Sequence, residues 1–327
     1  MLRRTYRAAA ATAAACLLAA FSGAAPALAG LGKPSDGQMG LQLPGTEQMR
    51  ELTSLYDAVN LVIIAIGIFV AILMLYAMFR FSEKRNPTPT RTTHNTLLEV
   101  AWTIIPILIL VGISIPSFRL LYVQYSFPKP DLTIKATGNA WFWDHEYLDQ
   151  KFTVSSNVIG DEEVVKEKIG EEVFAEKYGA LEGVARNVAL YDAAKPIWVE
   201  RNQERKLTVD NDIVMPVNKV VHVLITSNDV IHSWTIPSFG VKMQAVPGRT
   251  GAVWFKPDKT GTFHGQCSVL CGKLHSAMPI TVRVVEQATY DAWVAALQAK
   301  DRKKAKEILN TAAASDASKQ SVAQAAN

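Results

Sequence analysis

Five side chains in the second half of the sequence have the types and spacing to hold a soft metal: His232, Cys267, Cys271, His275 and Met278. The last four share one stretch, GQCSVLCGKLHSAMP at 265–279, with the pattern C-x3-C-x3-H-x2-M. Thiolates, imidazoles and a thioether are the donors copper prefers. One cysteine with two histidines and a methionine would make a mononuclear blue-copper site. The second cysteine changes that count. Two thiolates can bridge two copper ions, each with one terminal histidine, leaving the Met278 sulfur and a loop carbonyl as weak axial donors. An electron spread over two bridged metals alters their geometry little, which suits electron transfer rather than substrate chemistry. Two other readings stay open on the residues alone. Cysteines this close form disulfides outside the cytoplasm, and two Cys with two His is a tetrahedral zinc set. The methionine at a fixed offset, and the lack of an added acidic ligand, favour copper.

These residues need a rigid frame, and the surrounding sequence predicts a β-structure. Short alternating runs at 132–138, 141–147, 206–209, 220–227, 252–256, 261–264 and 280–285 read as strands. Turn residues such as Asn211-Asp212, Pro247-Gly248 and Pro257-Asp258 separate them. Several short strands so spaced predict a β-sandwich or barrel over 124–288. Residues 157–199 interrupt it with an acidic, helix-like insert, read as a solvated excursion. Residues 289–309 read as a terminal helix and 311–327 as an Ala/Ser/Gln tail without order. His222, on an alternating strand, and His264, just before the cysteine loop, read as structural.

The first third has a different composition. Arg3, Arg4 and Arg7 precede an Ala/Leu-rich stretch, and Ala27-Leu28-Ala29 is a small-x-small cleavage site. Residues 1–29 therefore read as an export signal. Its removal takes three arginines and no acid, lowering the net charge from +4 to +1. Such a small charge excludes a nucleic-acid binder, which needs a basic patch. Within 30–123, residues 61–79 and 100–118 carry no charge. At about 1.5 Å per residue, each spans a hydrocarbon core of about 30 Å. Between them Arg80, Lys84, Arg85 and Arg91 outnumber Glu83, which places that loop in the cytoplasm and the β-domain outside. The near-zero mean hydropathy thus averages an apolar hairpin with a polar exported domain.

Several segments together resemble subunit II of the haem-copper cytochrome c oxidases, of the bacterial kind with a signal peptide. They are EVAWTIIPILILVGISIPSFRLLY (99–122), GNAWFWDHEY (138–147), VDNDIVMPVN (209–218), DVIHSWTIPSFGVKMQAVPGR (229–249) and the cysteine loop. The resemblance implies a two-helix transmembrane hairpin followed by an all-β, cupredoxin-like Greek-key barrel. It also implies a binuclear copper A centre that takes electrons from cytochrome c and passes them to haem in subunit I, where dioxygen is reduced and protons are pumped. Subunits I and III would be its partners, in a bacterial inner membrane with the C-terminal domain in the periplasm.

Position by position, His232, Cys267, Cys271, His275 and Met278 match the family's copper ligands, and the Val269 backbone carbonyl matches the sixth. The family has Glu at that position, whose carboxylate also holds a magnesium ion; Val269 has none, so the magnesium site is in doubt. Trp141 would be packing in most contexts, but it matches the tryptophan that receives electrons. Glu146, Asp210 and Asp229 match acids of the cytochrome c docking face, while Asn228 stands where another acid is common. Glu99 reads as an interfacial carboxylate and matches the family's glutamate at a proton-channel mouth. Two alternatives remain: a membrane-tethered periplasmic copper carrier or assembly protein, and a quinol oxidase subunit of similar fold. The latter lacks the copper ligands. No C-x-x-C-H motif is present, so the electron donor is a separate protein.

Overall fold

The computed structural model describes residues 30–88 and 90–325, and side-chain surroundings as far as 313. The signal-like segment 1–29 lies outside the described residues. Helices α1 (Glu47–Arg80) and α2 (Thr96–Tyr125) contain the two uncharged runs and extend well beyond them. Each begins at a side-chain cap, Thr46 accepting from the Met49 N–H and Asn95 from the Leu98 N–H. Their apolar stretches are exposed along both helices, as expected of helices covered by lipid or partner subunits. Pro106 and Pro116 sit inside α2. A membrane setting tolerates them because neighbouring groups re-satisfy the freed carbonyls.

Both helices are pinned to the β-domain at its near end. The buried Thr46 hydroxyl donates to the Phe239 carbonyl (2.9 Å), and Arg50 pairs with Asp258 (2.5 Å). The Trp254 indole N–H donates to the Gln124 carbonyl at the last turn of α2 (3.1 Å).

The β-domain is built from β1 (Leu132–Asn139), β2 (Phe142–Tyr147), β3 (Phe152–Ser156), β4 (Ile213–Pro216), β5 (Val221–Ser227), β6 (His232–Ile236), β7 (Val241–Ala245), β8 (Gly251–Phe255), β9 (Gly261–Gln266) and β10 (Pro279–Val285). One sheet runs β3-β2-β1-β5-β8, a second β4-β10-β9, and β6-β7 form a hairpin. The β1–β5 and β4–β10 pairs are parallel and the rest antiparallel. β1 and β5 alternate buried and half-buried residues, so each offers one face to the core. Trp143, Trp234, Phe239, Phe255 and Phe263 fill the space between the layers. The architecture is the expected membrane hairpin followed by a cupredoxin-like β-domain.

Four local features differ from the sequence expectations. Residues 206–209 are not a strand: Val209 makes only an isolated bridge to Val158, and the ladder starts at Ile213. The Leu207 carbonyl is taken instead by the Thr281 hydroxyl and the His264 ring. Strand β6 is buried on nearly every residue, so it shows no alternation to read. The insert is a packed unit. Helices α3 (Asp161–Ile169), α4 (Glu171–Tyr178) and α5 (Gly183–Glu200) close around Val164, Val165, Phe174, Tyr178, Leu190, Ala194, Ile197 and Trp198. The C-terminal segment forms two helices, α6 (Gln287–Gln298) and α7 (Arg302–Ala325), rather than one helix and an unordered tail. Alanine is the strongest helix former, and the same alanines that suggested low complexity favour this helix.

Two buried histidines make the β-domain sensitive to acid. His145 lies between Trp143 and Trp234, accepting from the Trp234 indole at 3.3 Å, and burial lowers its pKa to about 3. Burial likewise lowers His264 to about 4, although the Leu207 carbonyl favours its charged form. Both are neutral in the fold, whereas the unfolded chain protonates them near pH 6.5. Their stabilising contribution is full above that pH and is lost as pH falls toward 4 and then 3. The expected loss is on the order of a few kcal/mol at pH 4. Thermal unfolding of the full chain in detergent tests this: Tm should begin to fall near pH 6.5, above the carboxylate range. A constant Tm between pH 7 and 5 would contradict it.

Candidate metal centre

The donors come from two loops at one end of the sandwich. His232 opens β6, and the β9–β10 loop carries Cys267, Cys271, His275 and Met278. The Cys267 N–H donates to the Met278 carbonyl (3.0 Å), so a backbone bond closes the base of this loop. A short 3-10 turn over His275–Ala277 presents His275, and Gly272, with φ of +111°, reverses the chain just after Cys271.

Metal-binding atoms of His232, Cys267 and Cys271 all lie within 4.8 Å of one another, and all three residues are buried. The cysteines are free thiols with Sγ atoms 3.7 Å apart. The disulfide reading therefore does not describe this structure. Cys267 Sγ lies 3.3 Å from the Val269 carbonyl, and Cys271 Sγ lies 3.6 Å from His275 Nδ1. Met278 is buried, and its carbonyl accepts the Cys267 N–H. Burial and the neighbouring Cys267 push the Cys271 thiol up to about 12. A metal binding there must displace that proton.

His232 is held on every side. Its Nε2 lies 2.7 Å from Asp229 Oδ1, so Nε2–H donates to the carboxylate. Its Nδ1 is buried with no hydrogen-bond partner among the described residues. Trp143 packs edge-on against the ring, with centroids 5.9 Å apart. Gly138 forms the floor: a Cβ there would stand 2.7 Å from His232 Cδ2. An unpartnered buried nitrogen beside two thiols is what a metal ligand looks like before the metal is added. The donor set fits a soft metal, and copper above others.

Trp141 lies against the cysteine loop. Its indole N–H donates to the Cys271 carbonyl (3.0 Å), and a Cβ on Gly272 would meet its ring at 3.2 Å. The three acids that the resemblance assigned to a docking face are placed differently from one another. Asp229 is committed to His232 and to the N–H groups of Ala140 and Val230, both at 2.6 Å. Burial alone would raise its pKa, but these donors outweigh it and hold the carboxyl below its usual range. Asp210 accepts from Asn157, and Glu146, at the far end of β2 from Trp141, faces Lys135 at 4.0 Å. Glu99 lies in the first turn of α2, at the end of that helix away from the β-domain. His222 packs edge-on against Phe127 and His264 bonds Leu207, and neither belongs to the group formed by His232, Cys267 and Cys271. Sequence reasoning missed Gly138, Trp143 and the Asp229–His232 bond. Only the x-x spacing in DVIH hinted at the last.

Two helices long and apolar enough to cross a membrane, followed by a β-domain in which His232, Cys267 and Cys271 could hold a metal ion, define the class. Residues 34–120 match the family described as cytochrome C oxidase subunit II, transmembrane domain, and 178–285 match its periplasmic domain. The chain is 42% identical to cytochrome c oxidase subunit 2 of Cereibacter sphaeroides, over 87% of this chain and 89% of that one. It is 39% identical to a probable cytochrome c oxidase subunit 2 of Rickettsia bellii, over 80% and 85%. A crystal structure of the periplasmic domain of subunit II (CoxB) of Bradyrhizobium japonicum is 40% identical, covering 54% of this chain and 99% of that one, with a TM-score of 0.40. The chain belongs to the cytochrome c oxidase subunit II family. It is a component of a haem-copper oxidase, an oxidoreductase that works with other oxidase subunits.

Proposed function

We propose that this chain is the electron-accepting subunit of its oxidase, and that His232, Cys267, Cys271, His275, Met278 and the Val269 carbonyl hold a binuclear copper A centre. The observation that carries this is the buried, unpartnered His232 Nδ1 beside two free thiols and a second imidazole. Bound there, the centre supplies one-electron redox chemistry with little change of geometry. The protein's part is to exclude water, fix the ligands and offer a path. Trp141, bonded to the Cys271 carbonyl, is the point where electrons from cytochrome c arrive. Haem in subunit I receives them, and subunit III completes the assembly. Glu99 serves proton uptake from the cytoplasmic side, and Glu146 and Asp210 add negative charge that steers a basic donor. The hairpin lies in a bacterial inner membrane with the β-domain in the periplasm.

Burial of His232, Cys267 and Cys271 argues against the copper-carrier alternative, since a carrier must release its metal through an open site. Val269 offers no carboxylate and does not fit a magnesium ligand, so no magnesium is assigned to this position. Metal analysis with electron paramagnetic resonance of the purified oxidase tests the reading. Two coppers per chain and the hyperfine pattern of one electron shared equally by two copper nuclei are expected. One copper, or zinc alone, would overturn it.

A further inference from the structure

Asp229 occupies a place that a docking residue does not need. One carboxylate oxygen takes the Nε2–H of His232 (2.7 Å) and the Val230 N–H (2.6 Å); the other takes the Ala140 N–H (2.6 Å). The Ser227 hydroxyl lies 3.2 Å from Oδ1. Ala140 directly precedes Trp141, whose indole bonds the Cys271 carbonyl. One carboxylate thus joins the loop before β6, the β1–β2 turn and, through Trp141, the cysteine loop. No lysine or arginine pairs with it among the described ion pairs; its strong partner is the imidazole.

We infer that Asp229 is a positioning residue of the metal centre: it fixes the His232 tautomer and ring so that Nδ1 is the ligating atom, and it holds the Trp141 turn in register with that ligand. This rests on the copper reading above. A carboxylate on the outer nitrogen of a ligating histidine orients the ring and makes it a stronger donor, and its loss typically weakens metal binding about 10- to 100-fold. A stronger donor also favours the oxidised metal, so losing the carboxylate should raise the reduction potential. Gly138 below the ring and Trp143 at its edge pack the imidazole on two further sides.

The test uses the assembled oxidase carrying Asp229→Ala or Asp229→Asn. Copper retention against a chelator, the electron paramagnetic resonance spectrum and the potential of the centre are measured. So is the ionic-strength dependence of reduction by a basic cytochrome c. Asp229→Ala should lose copper about 10- to 100-fold more readily, with altered hyperfine structure and a higher potential. Asp229→Asn keeps an acceptor but not the charge and should fall between. The slope of rate against ionic strength should match the parent. Parent-like copper retention, spectrum and potential in both variants, with a shallower salt slope, would overturn the inference and return Asp229 to docking. If Asp229→Ala fails to assemble, a parent-like spectrum and potential in Asp229→Asn suffices to overturn it. Absence of paired coppers in the parent oxidase would instead sink the copper reading itself, so the two failures are separable.

Discussion

Cys267→Ser is expected to abolish the paired-copper signal and, with it, reduction of the oxidase by cytochrome c. Sulfur at this position lies 3.7 Å from Cys271 Sγ and 3.3 Å from the Val269 carbonyl, so it sits between two other candidate donors. Serine has nearly the same shape, but its oxygen is a hard donor that stays protonated and cannot bridge two soft metals. The fold should survive. The backbone bond from Cys267 to Met278 does not involve the side chain, and burying one hydroxyl costs about 1–3 kcal/mol. The expected result is therefore an assembled oxidase with ordinary circular dichroism, no shared-electron spectrum and loss of cytochrome c-driven turnover. Persistence of two coppers with equal hyperfine coupling would show that Cys267 is not a bridge.

Gly265→Ala is expected to damage the same centre by way of the fold. A Cβ at Gly265 would stand 1.7 Å from the Thr235 carbonyl oxygen and 2.9 Å from Ile236 Cδ1. The first neighbour is backbone and has nowhere to go, because β6 is buried and paired to β7. Strand β6 begins with His232, and β9 leads directly into Cys267. Forcing these strands apart separates the imidazole from the thiols. The cost should reach or exceed about 3 kcal/mol, the upper end for overpacked cores. Lower Tm and loss of copper should appear together. Gly40→Ala is the control, since open space surrounds that position. An unchanged Tm in Gly265→Ala would refute the clash.

What could be read from the sequence divides by how local its cause is. The membrane helices were legible because length without charge is a property of one segment. The cysteine loop stood out as a candidate metal site because Cys267, Cys271, His275 and Met278 carry their chemistry in type and spacing, and the fold brings Cys267 and Cys271 together with His232. Strand β6 was not, because a strand buried on both faces loses its alternation. The core of the insert was hidden because acids surround Val164, Val165 and Phe174 in the sequence, while the buried face forms only when α3, α4 and α5 meet. Gly138 and Gly265 matter through His232 and Thr235, neighbours far from them along the chain, and no local pattern announces such approaches. Asp229 stays exposed in the fold, as an acid between turn residues would suggest, and only the structure shows that its carboxylate is committed to the buried His232 ring.

The fastening of the β-domain to its two helices has a mechanical consequence. Thr46 and Arg50 hold Phe239 and Asp258 from one helix, and Gln124 holds Trp254 from the other. A body hung from a single strut can swivel about it. One clamped to two struts cannot. If the helices span a membrane as proposed, the end of the β-domain that carries Cys267 and Cys271 would keep a fixed bearing relative to it, and the proposed electron donor would always meet the same face at the same height.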